Sequence, residues 1–238
     1  MAEKETKMIT DDLSDIETSE LLSVLPSYFS FSGDIRHTAY LNWRFAINDG
    51  VEQQFFSMGE GYFETSLALI EQCITDNRGN RADIWIFPIL FNVVHGIEVY
   101  LKGFNSLYPI CLELEESGEI KESKIEGKHD IKQLCQVAMK QLKQNGDKEI
   151  FCEMLFVKQF IDILYQNTDD MTFARYPITA KKDNQFYTDS PQNVTIDLNV
   201  LRQWVLRVFQ ILNNTTEYIS YKTDQMKEMR ADMLSEYC

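Results

Sequence analysis

The chain has 238 residues, is 44% hydrophobic and 12% aromatic, and carries a formal net charge of −14. That length and apolar share suffice for one large domain with a sizeable core, and they exclude a chain disordered over most of its length. The acidity opposes long-range attraction to phosphate backbones and anionic membranes, so non-specific nucleic-acid binding is not expected unless a local basic patch overrides the global field.

Residues 1–17 are polar and acidic and read as a flexible arm ahead of a single helical-bundle domain over 18–238. Ser19 to Leu25 fits a short helix stopped by Pro26. A long helical region is expected from about Thr38 to Asp76, with a break near Asp49-Gly50. Within it Phe63, Leu67, Ile70 and Ile74 recur at helical spacing. Asn77–Asp83 is a polar loop, and Asp83 reads as the cap of the most apolar helix, running from about Ile84 to Phe104. Trp85, Ile86, Ile89, Leu90, Val93 and Val94 leave that helix almost no polar face in its first half, so it is expected to be the central, buried one. It contains no run of eighteen apolar residues, and no membrane span is expected.

Cys111 to Lys128 is rich in lysine and glutamate and reads as a surface excursion with some helix of its own. Residues 121–148 hold seven lysines against four acids, a mixed pattern typical of a solvated face. From Asp130 the period is clear again: Ile131, Leu134, Cys135, Ala138 and Leu142 mark one face, and Asn145-Gly146 ends the helix. A further helix carries Ile150, Met154, Val157, Ile161 and Leu164. Phe173 to Thr179 is extended by Pro177 and is expected to pair with Gln185-Phe186-Tyr187 as a small hairpin. Asp197 caps a last long helix, and the tail from Asp224 to Cys238 reads as a separate amphipathic segment. The expected fold is all-α, an up-and-down bundle with a small extended or hairpin insertion near 173–188.

The five cysteines form no CxxC pair; Cys73, Cys135 and Cys152 sit among apolar residues and read as small core hydrophobes. The odd count, without a signal segment, implies a reducing cytoplasmic setting. Three histidines and no HExxH give no metal site, and no cofactor is expected.

Three stretches carry what chemistry the sequence shows. Asn92, His95, Glu98 and Lys102 are spaced by three, three and four residues and so share one face of the central helix. The Glu98-to-Lys102 order favours an ion pair. This row is compatible with a solvent stripe or satisfied buried row; the functional alternative is a polar groove in which His95 works as acid or base. Lys128, His129 and Asp130 stand at a helix start, where Asp130 is either a plain cap or part of an anion site. Arg175 precedes Tyr176-Pro177 on an extended segment, and its guanidinium suits either a structural ion pair or bidentate phosphate recognition.

The order of these pieces resembles the HEPN family (higher eukaryotes and prokaryotes nucleotide-binding domains) over about Gly59 to Leu212. Gly61-Tyr62-Phe63 is similar to its early aromatic helix, His95 to Lys102 to its ExxLK helix, Gly127-Lys128-His129-Asp130-Ile131 with Leu134 to its GHDL segment, and Arg175-Tyr176-Pro177 to the RYP element of some members. The resemblance implies a helical bundle, a homodimer, and a place in toxin–antitoxin or other anti-phage systems. Many members cut RNA without a metal, using an arginine four to six residues before a histidine. No arginine stands at that distance before His37, His95 or His129, so this chain is an atypical member.

Two functional readings follow. In the first, the chain is a non-catalytic module that binds a nucleotide, RNA or protein partner, with Asn92, Glu98, Lys102, Lys128, Asp130 and Tyr176 as binding residues. In the second it is a ribonuclease with a rearranged site, in which His95 or His129 supplies acid–base chemistry and Arg175 stabilises developing phosphorane charge. Grouping of His95, His129 and Arg175 favours the second; individually paired, dispersed side chains favour the first. A blander alternative is an acidic helical scaffold that shares only bundle packing.

Overall fold

The computed structural model describes residues 28–30, 33–41, 50–117, 127–188 and 190–236, and the chain divides into two compact units, 1–44 and 45–238. In the first unit Ile35–His37 forms one 3-10 turn, started by Asp34, whose Oδ1 accepts the Arg36 backbone N–H at 2.9 Å. The expected arm over 1–17 and the helix Ser19–Leu25 lie outside the described residues. Thr38, expected to begin a helix, is extended instead (φ −124°, ψ 130°).

The second unit is an all-α bundle of five helices among its described residues: α1 (Val51–Thr75), α2 (Ala82–Ser117), α3 (Ile131–Asn145), α4 (Lys148–Asn167) and α5 (Leu198–Glu236). α2 is the central member, packing against α1, α3 and α5, while α3, α4 and α5 follow one another around it. Phe63, Ile70, Ile89, Val93, Ile97 and Leu101 are completely buried at the heart of this arrangement.

The α1–α2 pair is set by glycines that receive aromatic rings. Gly103 lies under Phe56, Gly59 under Tyr100 and Gly96 under Phe63. A Cβ at Gly103 would come within 2.4 Å of the Phe56 ring, and one at Gly59 within 2.5 Å of the Tyr100 ring. Glycine therefore brings the two antiparallel backbones close enough for each ring to seat on the opposite helix. Ser66 extends the same register by donating to the Ile89 carbonyl at 3.2 Å.

Several boundaries differ from expectation. Asp83 does not cap α2. The helix begins at Ala82, whose N–H is taken by the Asn77 side chain at 2.8 Å across a 3-10 turn at Arg78–Asn80. Nor does α2 stop near Phe104. It runs through Pro109 to Ser117, because Leu107, Tyr108, Cys111 and Leu114 continue the buried stripe and outweigh the hydrogen bond lost at the proline. Tyr108 also ties this extension to Asp147, just ahead of α4, by donating its hydroxyl to the carboxylate. α2 is long and apolar enough to cross a membrane by length and composition alone, and half of its most apolar stretch is buried inside the bundle, as a central helix requires.

α3 starts and stops as its residues dictate. Asp130 Oδ1 accepts the Lys132 and Gln133 N–H groups at 2.9 and 3.1 Å, and Gly146 closes the helix in the left-handed region (φ 76°). Asp197 caps α5 in the same manner, accepting from Asn199 and Val200 at 2.9 and 3.1 Å. The tail beyond Asp224 is no separate segment, because α5 runs unbroken from Leu198 to Glu236. The expected hairpin reduces to a single bridge between Ile178 and Asn184. Phe173 and Ala174 are instead buried in a 3-10 turn, Met171–Ala174, fixed by Asp170 accepting from the Thr172 N–H at 2.8 Å. Cys152, expected in the core, is exposed; Cys73, Cys111 and Cys135 are buried.

Candidate functional site

Glu98 and Lys102 are charged side chains buried inside the bundle. The Glu98 side chain is 11% exposed and that of Lys102, one turn on, 9%. Two charges removed from water to this extent need close partners, since desolvation costs several kcal/mol per ion. Lys102 Nζ donates to Glu98 Oε1 at 2.9 Å. His129 Nδ1 lies 2.8 Å from the same oxygen, and His95 Nδ1 lies 3.4 Å from Oε2. Burial alone would raise the Glu98 carboxyl; the hydrogen bonds from His95, Lys102 and His129 and the Lys102 charge outweigh it and hold the group at about 2.

Helix geometry supplies three of these four side chains, because His95, Glu98 and Lys102 stand on one face of α2. The fourth arrives through the start of α3. Asp130 locks that start through the backbone N–H groups described above and through the Tyr165 hydroxyl of α4, which donates to Oδ1 at 2.9 Å. Burial would raise the Asp130 carboxyl, but these donors hold it below the ordinary aspartate range. His129, one residue before, is thereby placed against Glu98 while its side chain stays 80% exposed.

Aromatic rings frame His95. Phe91 stacks on it with centroids 5.8 Å apart and planes 8° from parallel, and Tyr62 of α1 meets it edge-on at 4.6 Å. The Arg175 guanidinium lies 5.9 Å from the centroid of that same Phe91 ring and 5.7 Å from the Tyr176 ring. Arg175 thus borders the site through Phe91 rather than through the carboxylate.

Of the residues expected from sequence, the structure brings together His95, Glu98, Lys102 and His129, with Arg175 one ring away. Asp130 acts as cap and anchor. Asn92 is half-buried on the same face of α2 and makes no hydrogen bond to the cluster among the described residues. Lys128 is exposed, and Tyr176 is 57% exposed beside Arg175. Sequence reasoning missed Phe91, Tyr62 and Tyr165. Phe91 stands one turn before His95 and was legible from that spacing; Tyr62 and Tyr165 come from other helices, and no local pattern marks them.

The arrangement gives two imidazoles whose Nδ1 atoms face one carboxylate, that of His129 also 3.4 Å from Lys102 Nζ, and among the described residues no hydrogen bond engages Nε2 of either ring. A neutral ring so held presents a base at Nε2, and a protonated ring presents an acid there. Lys102 already occupies the cation position on Glu98, and among the described residues no group of three ligating side chains is arranged to hold a metal ion.

The chain matches no family model, no curated protein and no solved structure.

Proposed function

We propose that the chain is an atypical HEPN-like module of a prokaryotic defence or toxin–antitoxin type system, working as a homodimer in the cytoplasm and taking up an RNA or nucleotide phosphate at the Glu98-centred cluster. The observation that carries this reading is the convergence of His95, His129 and Lys102 on one buried carboxylate at 2.8–3.4 Å. Glu98 neutralises Lys102, so a proton on either histidine gives the cluster a local positive excess. That excess is what a phosphate needs on an otherwise acidic molecule. The motif order noted in the sequence supports the same reading, since all four of its pieces meet at or beside this cluster, Tyr62 and Arg175 through aromatic rings.

One observation favours a second, catalytic reading. His95 and His129 share a single orienting group, as a paired acid and base would. In a metal-independent ribonuclease built this way, one histidine takes the 2′-hydroxyl proton as the oxygen attacks phosphorus. The other gives a proton to the leaving 5′-oxygen, and Arg175 stabilises charge on the phosphorane. A cyclic phosphate and a free 5′-hydroxyl result.

The test is to incubate the purified chain with mixed cellular RNA in EDTA, beside His95→Ala and His129→Ala, and to measure RNA binding by the same three proteins. Cutting by the wild type alone establishes the ribonuclease. Binding that weakens in both variants without cutting establishes the module. Neither binding nor cutting refutes both.

A further inference from the structure

We propose that a second site, separate from the Glu98 cluster, binds a flat, amphipathic organic cation between the 190–197 segment and the helices beneath it. Two adjoining cavities of about 290 and 670 Å³ lie there, and both are lined by Leu90, Phe173, Phe186, Val194, Thr195 and Ile196. Together they fall within the size range of small-molecule sites. The walls suit an aromatic body. Phe173 and Phe186 meet edge-on at 5.6 Å, Tyr187 stands against Phe186 at 5.3 Å, and Trp204 closes the smaller lobe against Phe156 at 4.5 Å.

Charge selects the ligand. Asp197 lines the smaller lobe and Asp83 the larger, and no lysine or arginine lines either. Asp197 caps α5 and Asp83 stands in the first turn of α2, so each carboxylate offsets the partial positive charge of a helix start that would otherwise favour an anion, and the ring faces add attraction for a cation.

The segment over the cavities is held loosely enough to admit a ligand. Between Thr188 and Asp197 no backbone hydrogen bond joins it to another element among the described residues; Ser190 and Gln192 bond only to each other. Val194 and Ile196 line the cavities, yet remain 46% and 43% exposed. Two apolar side chains half in water can close over a ligand and lose that exposure, which favours binding by burial of apolar area.

The experiment uses the full chain at 150 mM salt, titrated with the planar cation proflavine and the planar anion 8-anilinonaphthalene-1-sulfonate, each followed by fluorescence. Two variants are compared, Val194→Trp, which fills the slot without changing charge, and Asp83→Asn, which removes one carboxylate. Melting curves confirm that both fold. The expected result is one saturable proflavine site, at least about tenfold tighter than the anion. It should weaken by about tenfold or more in Val194→Trp and several-fold in Asp83→Asn. Proflavine binding unchanged in Val194→Trp would mean that the dye follows the general acidity of the surface, and the proposal falls. It falls equally if the anion binds as well as the cation, or if no saturable site is found. RNA binding or cleavage at the Glu98 cluster does not enter these readouts.

Discussion

At the residue scale, Glu98 combines burial with three donors, and its titration makes that testable. Its folded value of about 2 lies below the ordinary 4.5. A depressed carboxyl contributes stability that is fully present above the unfolded value and is lost as pH falls through the folded one. The urea midpoint of the wild type should therefore drop as pH falls from about 4.5 to 2. In Glu98→Gln that part of the pH dependence should disappear, and the protein should be weaker at neutral pH by about 3–5 kcal/mol, because Lys102 is left buried without its counter-charge. Equal slopes in the two proteins over this range would contradict the assignment. His129→Ala offers the contrast. Its ring is mostly in water, so the same unfolding measurement should show a loss below about 1 kcal/mol, while RNA binding or cleavage is abolished. The row Asn92, His95, Glu98, Lys102 was readable from spacing alone. The Glu98–Lys102 pair was readable from it as well; that His129 would join them was not, because it enters from 31 residues away.

At the scale of elements, the α1–α2 pair depends on rings seated over glycines, and helix propensity misjudges it. Alanine at an exposed helical glycine stabilises by about 0.5–1 kcal/mol. Gly61 faces open space, and Gly61→Ala should show that gain in thermal melting. Gly103→Ala should instead lose about 1–3 kcal/mol, since the added methyl must displace the Phe56 ring. Equal shifts for the two would mean that the rings yield freely. A second element-level prediction concerns the start of α3. Asp130→Ala removes the cap and the Tyr165 anchor together and should cost about 1–2 kcal/mol in urea unfolding, with RNA binding weakened because His129 loses its fixed position. Periodicity identified α3, α4 and the apolar half of α2 well, since in each the buried positions recur every three or four residues. It failed where tertiary context overrode a local signal. The lysine- and glutamate-rich stretch from Cys111 reads as a surface excursion with its own helix, yet buried Cys111 and Leu114 make it a continuation of α2 to Ser117. Pro177 suggested a strand, but Phe173 and Ala174 are drawn into a buried turn instead.

At the scale of the molecule, the helices are unequal. α5 has 39 residues, about 58 Å of helix, whereas α3 has 15. Beyond Thr223 no described side chain of α5 is fully buried, and Met229, Met233 and Leu234 are exposed. Amide exchange followed by mass spectrometry should therefore show strong protection from Leu201 to Thr223 and a steady decline after it; uniform protection to the end would reveal contacts that cover those methionines in solution. Away from that end, the Glu98 cluster joins two side chains buried on the central helix, Glu98 and Lys102, to the exposed ring of His129 at the start of α3. Seating each ring over a glycine also has a consequence for how this chain can change its length. Phe56 and Phe63 on one helix are matched to Gly103 and Gly96 on the other like teeth to notches. One residue inserted between either pair would turn the following tooth by about 100° and drive it into a neighbouring backbone. Substitutions can be absorbed there one at a time, but insertions and deletions cannot, so lineages of this fold should vary freely in the connection between α2 and α3 and keep the count between these teeth fixed.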